Sequence, residues 1–368
     1  GKRIISMDLN FPIITYEANL SLEQNGLHHG EQFREAIKEL AEIREELMLS
    51  KSPHLKSHLE RLAEEQLEVN QKYMPKLNDE MLAIAKGANL SNKEIVILNN
   101  YTDFRDIELP DEGCSTVYMK TEKSSWSGQT WDMHRSAKRF LCLIHIKQNE
   151  TESEKLVLSL AGCLGLMGMN SLGCLVGVNN INTTDAKPGA IWPCLVRECL
   201  YQSNLDGMIE TLTTVPVTSG HNYIISDKSG GAHYEITPTL KKKVSMLRSE
   251  TGAIFHTNHC LHPEVKKIES TLAQNSTTHL REELLEKKLP YVKSFKDFEN
   301  VFRDHEGYPK SICSHFESGA QDPSFTCGAG VVDYDTDHYV FWRGCKEHDE
   351  NYVEHRFDLK EGSFIEVS

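Results

Sequence analysis

No run of about 18 uninterrupted apolar residues occurs in the 368-residue chain, which argues against a membrane-spanning helix. Basic charge is in short supply. Lys and Arg number 40 against 54 Asp and Glu, a formal net charge of −14, so general affinity for nucleic acid or an anionic membrane is not expected. The ten cysteines, at 114, 142, 163, 174, 194, 199, 260, 313, 327 and 345, form no CxxC pair. A chain this long builds a core without disulfide staples, so reduced thiols and a cytoplasmic setting are expected. The opening GKRIISMDLNFPIITYEANL lacks a basic segment followed by an apolar core and a small-residue cleavage site. Secretion stays open only if such a leader has been removed; the Asn-x-Ser/Thr triplets at Asn19, Asn89, Asn149, Asn182 and Asn275 matter only in that case. The final FIEVS is not a peroxisomal tripeptide of the Ser-Lys-Leu type. The Gly-rich run 162–173 lacks the Gly-Lys-Ser/Thr ending of a phosphate loop. There is no internal repeat, no low-complexity tract and no Pro/Gly/Ser linker, so residues 1–368 read as one domain.

What is present is a folded composition, 39% hydrophobic and 26% charged, in an ordered sequence of patterns. Phe33, Ile37, Leu40 and Leu47 mark one face of a helix over 31–50, with Gly30 before it and Glu31 in its first turn. Ser52-Pro53 reads as an N-cap and first-turn proline for a second helix through Leu55, Leu59 and Leu62, ending before Pro75. A third runs from about Asn78 to Lys86, with Gly87 as its stop. Ser91 and Glu94 form a capping box for a fourth. From Cys114 the pattern turns to short β-rich runs: CSTVYMKT, SGQTWDMH, RFLCLIHIKQ, KLVLSLAG and GCLVGVNN. Helical pattern returns near 190–215, two strand pairs follow over 221–259, helices fill 264–308 and strands close the chain at 328–343. Helical layers flanking antiparallel sheet account for this order, an α+β architecture.

The segment ELPDEGCSTVY joins the helical part to the first β run through a polar turn. A cysteine placed there can attack the carbonyl before it. Gly113 tolerates a strained conformation and leaves that carbonyl open. Thioester formation and hydrolysis would release Cys114 with a free α-amine, whose reference pKa of about 7.7–8 suits a general base at neutral pH. Thiol and base then share one residue. An ordinary buried cysteine after a turn has the same local sequence.

Other constellations carry less. His256, His259, Cys260 and His262 resemble a ligand cluster, but residues 256 and 259 of one strand point to opposite sides. His28-His29-Gly30 reads as the start of a helix or the edge of a pocket, Lys241–Lys243 as a solvated strand or turn, and Met167 and Met169 as core or pocket lining. No metal and no cofactor is called for.

GCSTVY followed by GQTWD at 128–132 resembles the acyl-coenzyme A:6-aminopenicillanate acyltransferase family, within the N-terminal nucleophile hydrolases. AKGANL at 85–90, LNNYTDF at 98–104, GMNSLGCLVGVNNI at 168–181, HTNHCLHP at 256–263, YPKSICSH at 308–315 and the Gly-Cys run after Trp342 continue the likeness in order. The resemblance implies an αββα four-layer sandwich and self-cleavage between Gly113 and Cys114, into chains 1–113 and 114–368 that stay together as a heterodimer. It implies Cys114 as nucleophile, Asp132 as the acid that orients its amino group and Asn258 as an oxyanion donor. Asn179 matches an asparagine that faces the nucleophile in the related bile-salt hydrolases. The chemistry suits these roles: a carboxylate favours a nearby ammonium, and an Asn amide donates to an oxyanion without adding charge. Asp132 also reads as a turn acid, Asn258 as a bulge or cap residue, and Asn179-Asn180 as a turn closure. Two departures stand out. Thr130 occupies a usual Asn position, which puts a local hydrogen bond in doubt; Ser314 follows Ser-Ile-Cys, with no Arg or Lys before Cys327 where members often carry a substrate-binding base. The activity expected is hydrolysis of small N-acyl amines, β-alanyl conjugates included, through an acyl-enzyme on Cys114. A coenzyme A-dependent acyltransferase and a non-catalytic binding module are the alternatives, and higher oligomers are left open.

Overall fold

The computed structural model describes residues 7–103, 113–149, 152–271, 276–317 and 325–368. Residues 104–112 before Gly113, and Asn275 of its triplet, lie outside them. The elements in order are β1 (Ile13–Tyr16), α1 (Leu22–Gln32), α2 (Arg34–Lys51), α3 (Leu59–Tyr73), α4 (Pro75–Gly87), α5 (Asn92–Asn100), β2 (Gly113–Lys120), β3 (Ser125–Met133), β4 (Leu141–Ile146), β5 (Lys155–Leu160), β6 (Met167–Asn170), β7 (Leu175–Asn180), α6 (Trp192–Cys199), α7 (Leu205–Thr214), β8 (His221–Asp227), β9 (Gly230–Ile236), β10 (Lys241–Leu247), β11 (Gly252–His256), α8 (Pro263–Lys266), α9 (Thr278–Lys288), α10 (Phe295–Val301), β12 (Phe325–Asp333), β13 (His338–Arg343), β14 (Val353–Lys360) and β15 (Ser363–Val367).

The strands form two sheets. One has eight strands in the order β1-β4-β5-β6-β7-β8-β9-β10, antiparallel except for the parallel pair β1–β4. The other has seven, β11-β2-β3-β12-β13-β14-β15, all antiparallel. Period-2 alternation decides which residues lie between them. Cys114 and Tyr118 of β2 join the large core that also holds Leu156, Val176 and Ile224 of the eight-stranded sheet. Val117 and Met119, one residue out of phase, pack with Leu285 of α9 and Phe298 of α10 on the opposite face. The helices before Cys114, with α6 and α7, cover the outer face of the eight-stranded sheet. The layers are therefore helix, sheet, sheet, helix: the α+β sandwich expected from the sequence.

Local chemistry explains most boundaries, and three expectations need correction. The Ser91–Glu94 capping box forms in both directions. Gly30, expected before a helix, lies inside α1, because a Cβ there would fall 2.2 Å from the Ile84 carbonyl oxygen of α4. Gly87 has the matching duty. It is the last residue of α4, not its stop, and its own Cβ would fall 2.3 Å from the Leu27 carbonyl oxygen. The left-handed residue that ends this helix is Asn89, at φ 59°, with Leu90 N–H returning to the Ala85 carbonyl. Residues 241–256 do not form a hairpin pair. The chain leaves β10, at the edge of one sheet, and enters the other as β11 beside β2. The sequence reading also missed β1, β14 and β15.

One buried ion pair joins two helices of the outer layer, and Tyr16 of β1 ties it to the sheet. Arg197 of α6 grips Glu80 of α4 through two bonds, 2.7 and 2.9 Å, with both side chains fully buried. Tyr16 donates to Glu80 at 3.0 Å, and Gly162 N–H donates to His29 Nε2 at 3.0 Å. His29 Nδ1 thus carries the proton that Tyr16 accepts at 3.0 Å. Burial lowers the His29 pKa to about 3 and keeps the ring neutral.

Candidate active site

Antiparallel register brings the first candidates together. Gly113 pairs with Asp132, Cys114 with Trp131 and Ser115 with Thr130. A Cβ on Gly113 would lie 3.0 Å from Asp132 Oδ2 and 3.1 Å from its Cβ, so close approach, not a left-handed φ, is what this position asks of glycine. Ser115 N–H donates to Thr130 Oγ1 at 3.1 Å, so the threonine that stands at the usual Asn position makes a local hydrogen bond of its own.

Cys114 is 2% exposed and is held at both ends of its backbone. Its N–H donates to Asn258 Oδ1 at 2.9 Å. Its carbonyl accepts from Asn179 Nδ2 at 3.2 Å and from Arg281 Nη1 at 2.7 Å. Asn179 reaches it from β7 across the gap between the sheets. Thr116 Oγ1 and Asn222 Nδ2 both donate to Asn179 Oδ1 at 2.9 Å, which fixes the amide with its nitrogen toward Cys114.

Asn258 follows β11 in HTNH, and the surrounding turn is anchored. Glu235 of β9 accepts from His256 Nε2 at 2.7 Å and from the amides of Leu261 and His262, both at 2.8 Å. Burial pushes the Glu235 pKa up, but these donors outweigh it and leave it below the ordinary value. Asn258 N–H donates to Thr278 Oγ1 at 2.6 Å and its Nδ2 to the Asn180 carbonyl at 2.9 Å. It is the oxygen of Asn258 that faces Cys114.

Arg281 was missed by the sequence reading. It lies on the inner side of α9, 2% exposed, and joins three of the groups above: Cys114 O, Ser115 Oγ at 3.1 Å and Asn258 Oδ1 at 2.7 Å. Nothing in THLREELLEKK sets it apart from the solvated charges around it; only the fold turns it inward. Burial lowers its pKa and Asp132 opposes that. Asp132, 1% exposed, is raised to about 6 by burial, against the pull of Arg281 and of Thr326, whose hydroxyl donates to Asp132 Oδ1 at 2.6 Å. Ser314 N–H donates in turn to Thr326 Oγ1 at 2.8 Å. Two buried thiols elsewhere are held protonated: burial pushes Cys174 and Cys194 up to about 12.

The four candidates Cys114, Asp132, Asn179 and Asn258 thus occupy one neighbourhood. The histidine cluster does not. His256 turns to Glu235, His259 Nδ1 lies 2.8 Å from Thr278 Oγ1 and its Nε2 meets Glu282 at 3.0 Å, and His262 caps α8. His29 lies in the core, inside α1. Among the described residues, no helix is long and apolar enough to cross a membrane.

The family described as "Acyl-coenzyme A:6-aminopenicillanic acid acyl-transferase" matches residues 119–323 of this chain. The 40 kDa form of the acyl-coenzyme A:6-aminopenicillanic-acid-acyltransferase of Emericella nidulans is 29% identical over 302 residues, 80% of this chain and 82% of that one. Solved structures similar to it include the Caenorhabditis elegans ortholog of N-acylethanolamine-hydrolyzing acid amidase, with TM-score 0.42 and 11% identity over 60% of this chain and 92% of that one. A variant of conjugated bile acid hydrolase from Clostridium perfringens gives TM-score 0.42 and 12% identity over 69% and 97%.

Proposed function

Because this chain belongs to the acyl-coenzyme A:6-aminopenicillanic acid acyl-transferase family, we propose that it is a cysteine amidohydrolase of small N-acyl amines that cuts itself between Gly113 and Cys114. The observation that carries this reading is the grip on Cys114: Asn258 on its nitrogen, Asn179 and Arg281 on its carbonyl, with Asp132 against the preceding glycine.

Cleavage comes first. The Cys114 sulfur adds to the Gly113 carbonyl carbon, and the C–N bond to Cys114 breaks as that nitrogen takes up a proton. The thioester left between Gly113 and Cys114 is hydrolysed, giving a Gly113 carboxylate and an N-terminal Cys114 with free thiol and amine. Cys114 is buried in the uncut chain, so departure of Gly113 from its place beside Asp132 is also what lets substrate in. The released α-amine takes the thiol proton and the thiolate attacks a substrate amide. The amine returns the proton to the departing amine, leaving an acyl thioester that water resolves. Asp132 favours the ammonium by charge. Asn258 Oδ1 keeps that nitrogen in place. Asn258 is also the proposed oxyanion donor once its amide leaves Asn180, with Asn179 as the second.

Resolution by an acyl acceptor instead of water is the second reading, favoured by the Emericella nidulans relative, which is an acyltransferase by name. Incubating cut protein with N-acyl amines, β-alanyl amines among them, tests both. Release of acid and amine, with an acyl adduct on chain 114–368 after rapid quenching, is expected. Turnover only when a coenzyme A thioester and an amine are both present selects transfer. Fully cut protein that turns over neither set is a binding module, contrary to the proposal.

A further inference from the structure

We propose that His305, Cys313, His315 and Cys345 form a structural zinc site, independent of the reading of Cys114. The four ligand atoms lie within 4.8 Å of one another. His305 Nε2 is 3.3 Å from Cys345 Sγ and 3.2 Å from His315 Nε2, which is 3.7 Å from Cys313 Sγ. A tetrahedral zinc with bonds of about 2.0–2.1 Å to nitrogen and 2.3 Å to sulfur sets its ligands about 3.3–3.8 Å apart. Three of the separations, 3.2–3.7 Å, are close to that spacing, and the four donors are the Cys2His2 set that zinc prefers.

The surroundings are those of a built site. Both cysteines are 4% exposed. Each histidine turns Nε2 inward, and His305 Nδ1 meets Glu347 at 3.2 Å, the carboxylate–histidine arrangement that orients a metal-bound imidazole. Backbone amides of Glu347 and His348 are directed at the Cys345 sulfur. The His348 ring covers both ligand histidines, with centroids 5.0 Å from each, and stacks on Tyr308 at 5.1 Å. Two thiolates would balance the charge of one zinc ion.

The ligands come from three places: the chain after α10, the 308–316 segment and the residue after Gly344 that follows β13. No CxxC announces them, and the sequence reading, which weighed only the histidines at 256–262 and set them aside, called for no metal. The metal would fasten the 308–316 segment to the end of β13. Ser314, between two ligands, holds the Thr326 hydroxyl that bonds Asp132. The proposed clip therefore lies one hydrogen-bonded chain away from the candidate active site.

The test uses the full chain, purified under reducing conditions without chelator or metal-affinity steps. Elemental analysis is expected to give one zinc per chain. Cys313→Ser and Cys345→Ser should lose it, and His262→Gln should keep it. So that the result does not hinge on the serine variants folding, wild-type protein is also stripped with a chelator and titrated with cobalt(II). One equivalent should give the visible spectrum of tetrahedral thiolate-bound cobalt, and zinc should restore the unfolding temperature lost on stripping. A chain that carries no zinc and takes up neither metal would overturn the site. So would zinc retained by both folded serine variants, or a Cys313–Cys345 disulfide in freshly isolated reduced protein.

Discussion

Asp132 carries its carboxylate where burial resists charge, and the consequence can be measured. Its pKa in the fold is about 6 against an ordinary 3.8. The fold thus binds the proton more tightly than the unfolded chain does. This carboxyl stabilises the fold most below pH 3.8, and that contribution is lost as pH rises through about 6. Two units correspond to roughly 3 kcal/mol. In an uncut Cys114→Ala background, the unfolding free energy of the Asp132 protein should fall relative to that of Asp132→Asn between about pH 4 and 6; parallel curves would contradict the shift. The ionised form is the one proposed to steady the new amine, so turnover by the cut enzyme should weaken on the acid side, and Asp132→Asn should lower it and flatten that limb. Asn258→Ala should cost about 10²–10³ in turnover if the residue serves the oxyanion, or about 1 kcal/mol of stability with little loss of turnover if it is only a cap. Correct cleavage must be confirmed by mass before either variant is compared. An N258A enzyme that is cut correctly and turns over at the wild-type rate would transfer the donor role to Asn179.

At the scale of elements, the crossing of α1 over α4 rests on three glycines, Gly26, Gly30 and Gly87, each facing a carbonyl oxygen of the other helix. Gly30→Ala should force the helices apart and cost about 1–3 kcal/mol or more, read by chemical denaturation of the uncut Cys114→Ala chain; an unchanged midpoint would show that the helices separate freely. This contact also marks the limit of what could be read beforehand. The capping box at Ser91 and the β-rich runs that form β2 and β3 are local signals, and the structure follows them; Pro75, read as the end of one helix, also opens α4 three residues before the expected start. Gly30 and Gly87 read as punctuation, because a helical glycine that admits a neighbouring helix looks locally like one that ends a helix. The division between β10 and β11 was hidden for a similar reason: strand pattern does not say which sheet a strand joins. The site was legible where motifs carried it. Cys114, Asp132, Asn179 and Asn258 meet although 144 positions separate Cys114 from Asn258. Arg281 was not legible, since its inward direction is set by how α9 docks on β2 and β11.

For the whole molecule, the described core does not stop at Cys114. Helices before it and strands after it bury side chains in one cluster, Ile37, Ile84 and Ile95 with Leu143, Val157 and Leu195. Chains 1–113 and 114–368 should therefore stay associated after cleavage and separate only on unfolding. If the thiols are kept reduced, unfolding the protein in chelator without reductant should expose ten alkylatable cysteines; a much lower count would indicate disulfides and a secreted protein. The most direct measurement is the intact mass of purified wild-type and Cys114→Ala proteins under denaturing conditions. Wild type is expected as two chains that meet at Gly113 and Cys114, and the alanine variant as one uncut chain. Cys114→Ser should cut slowly, an alcohol being the weaker nucleophile near neutral pH. Two normal fragments from Cys114→Ala, or a folded wild-type protein that turns over N-acyl amines while remaining uncut, would contradict self-activation through Cys114.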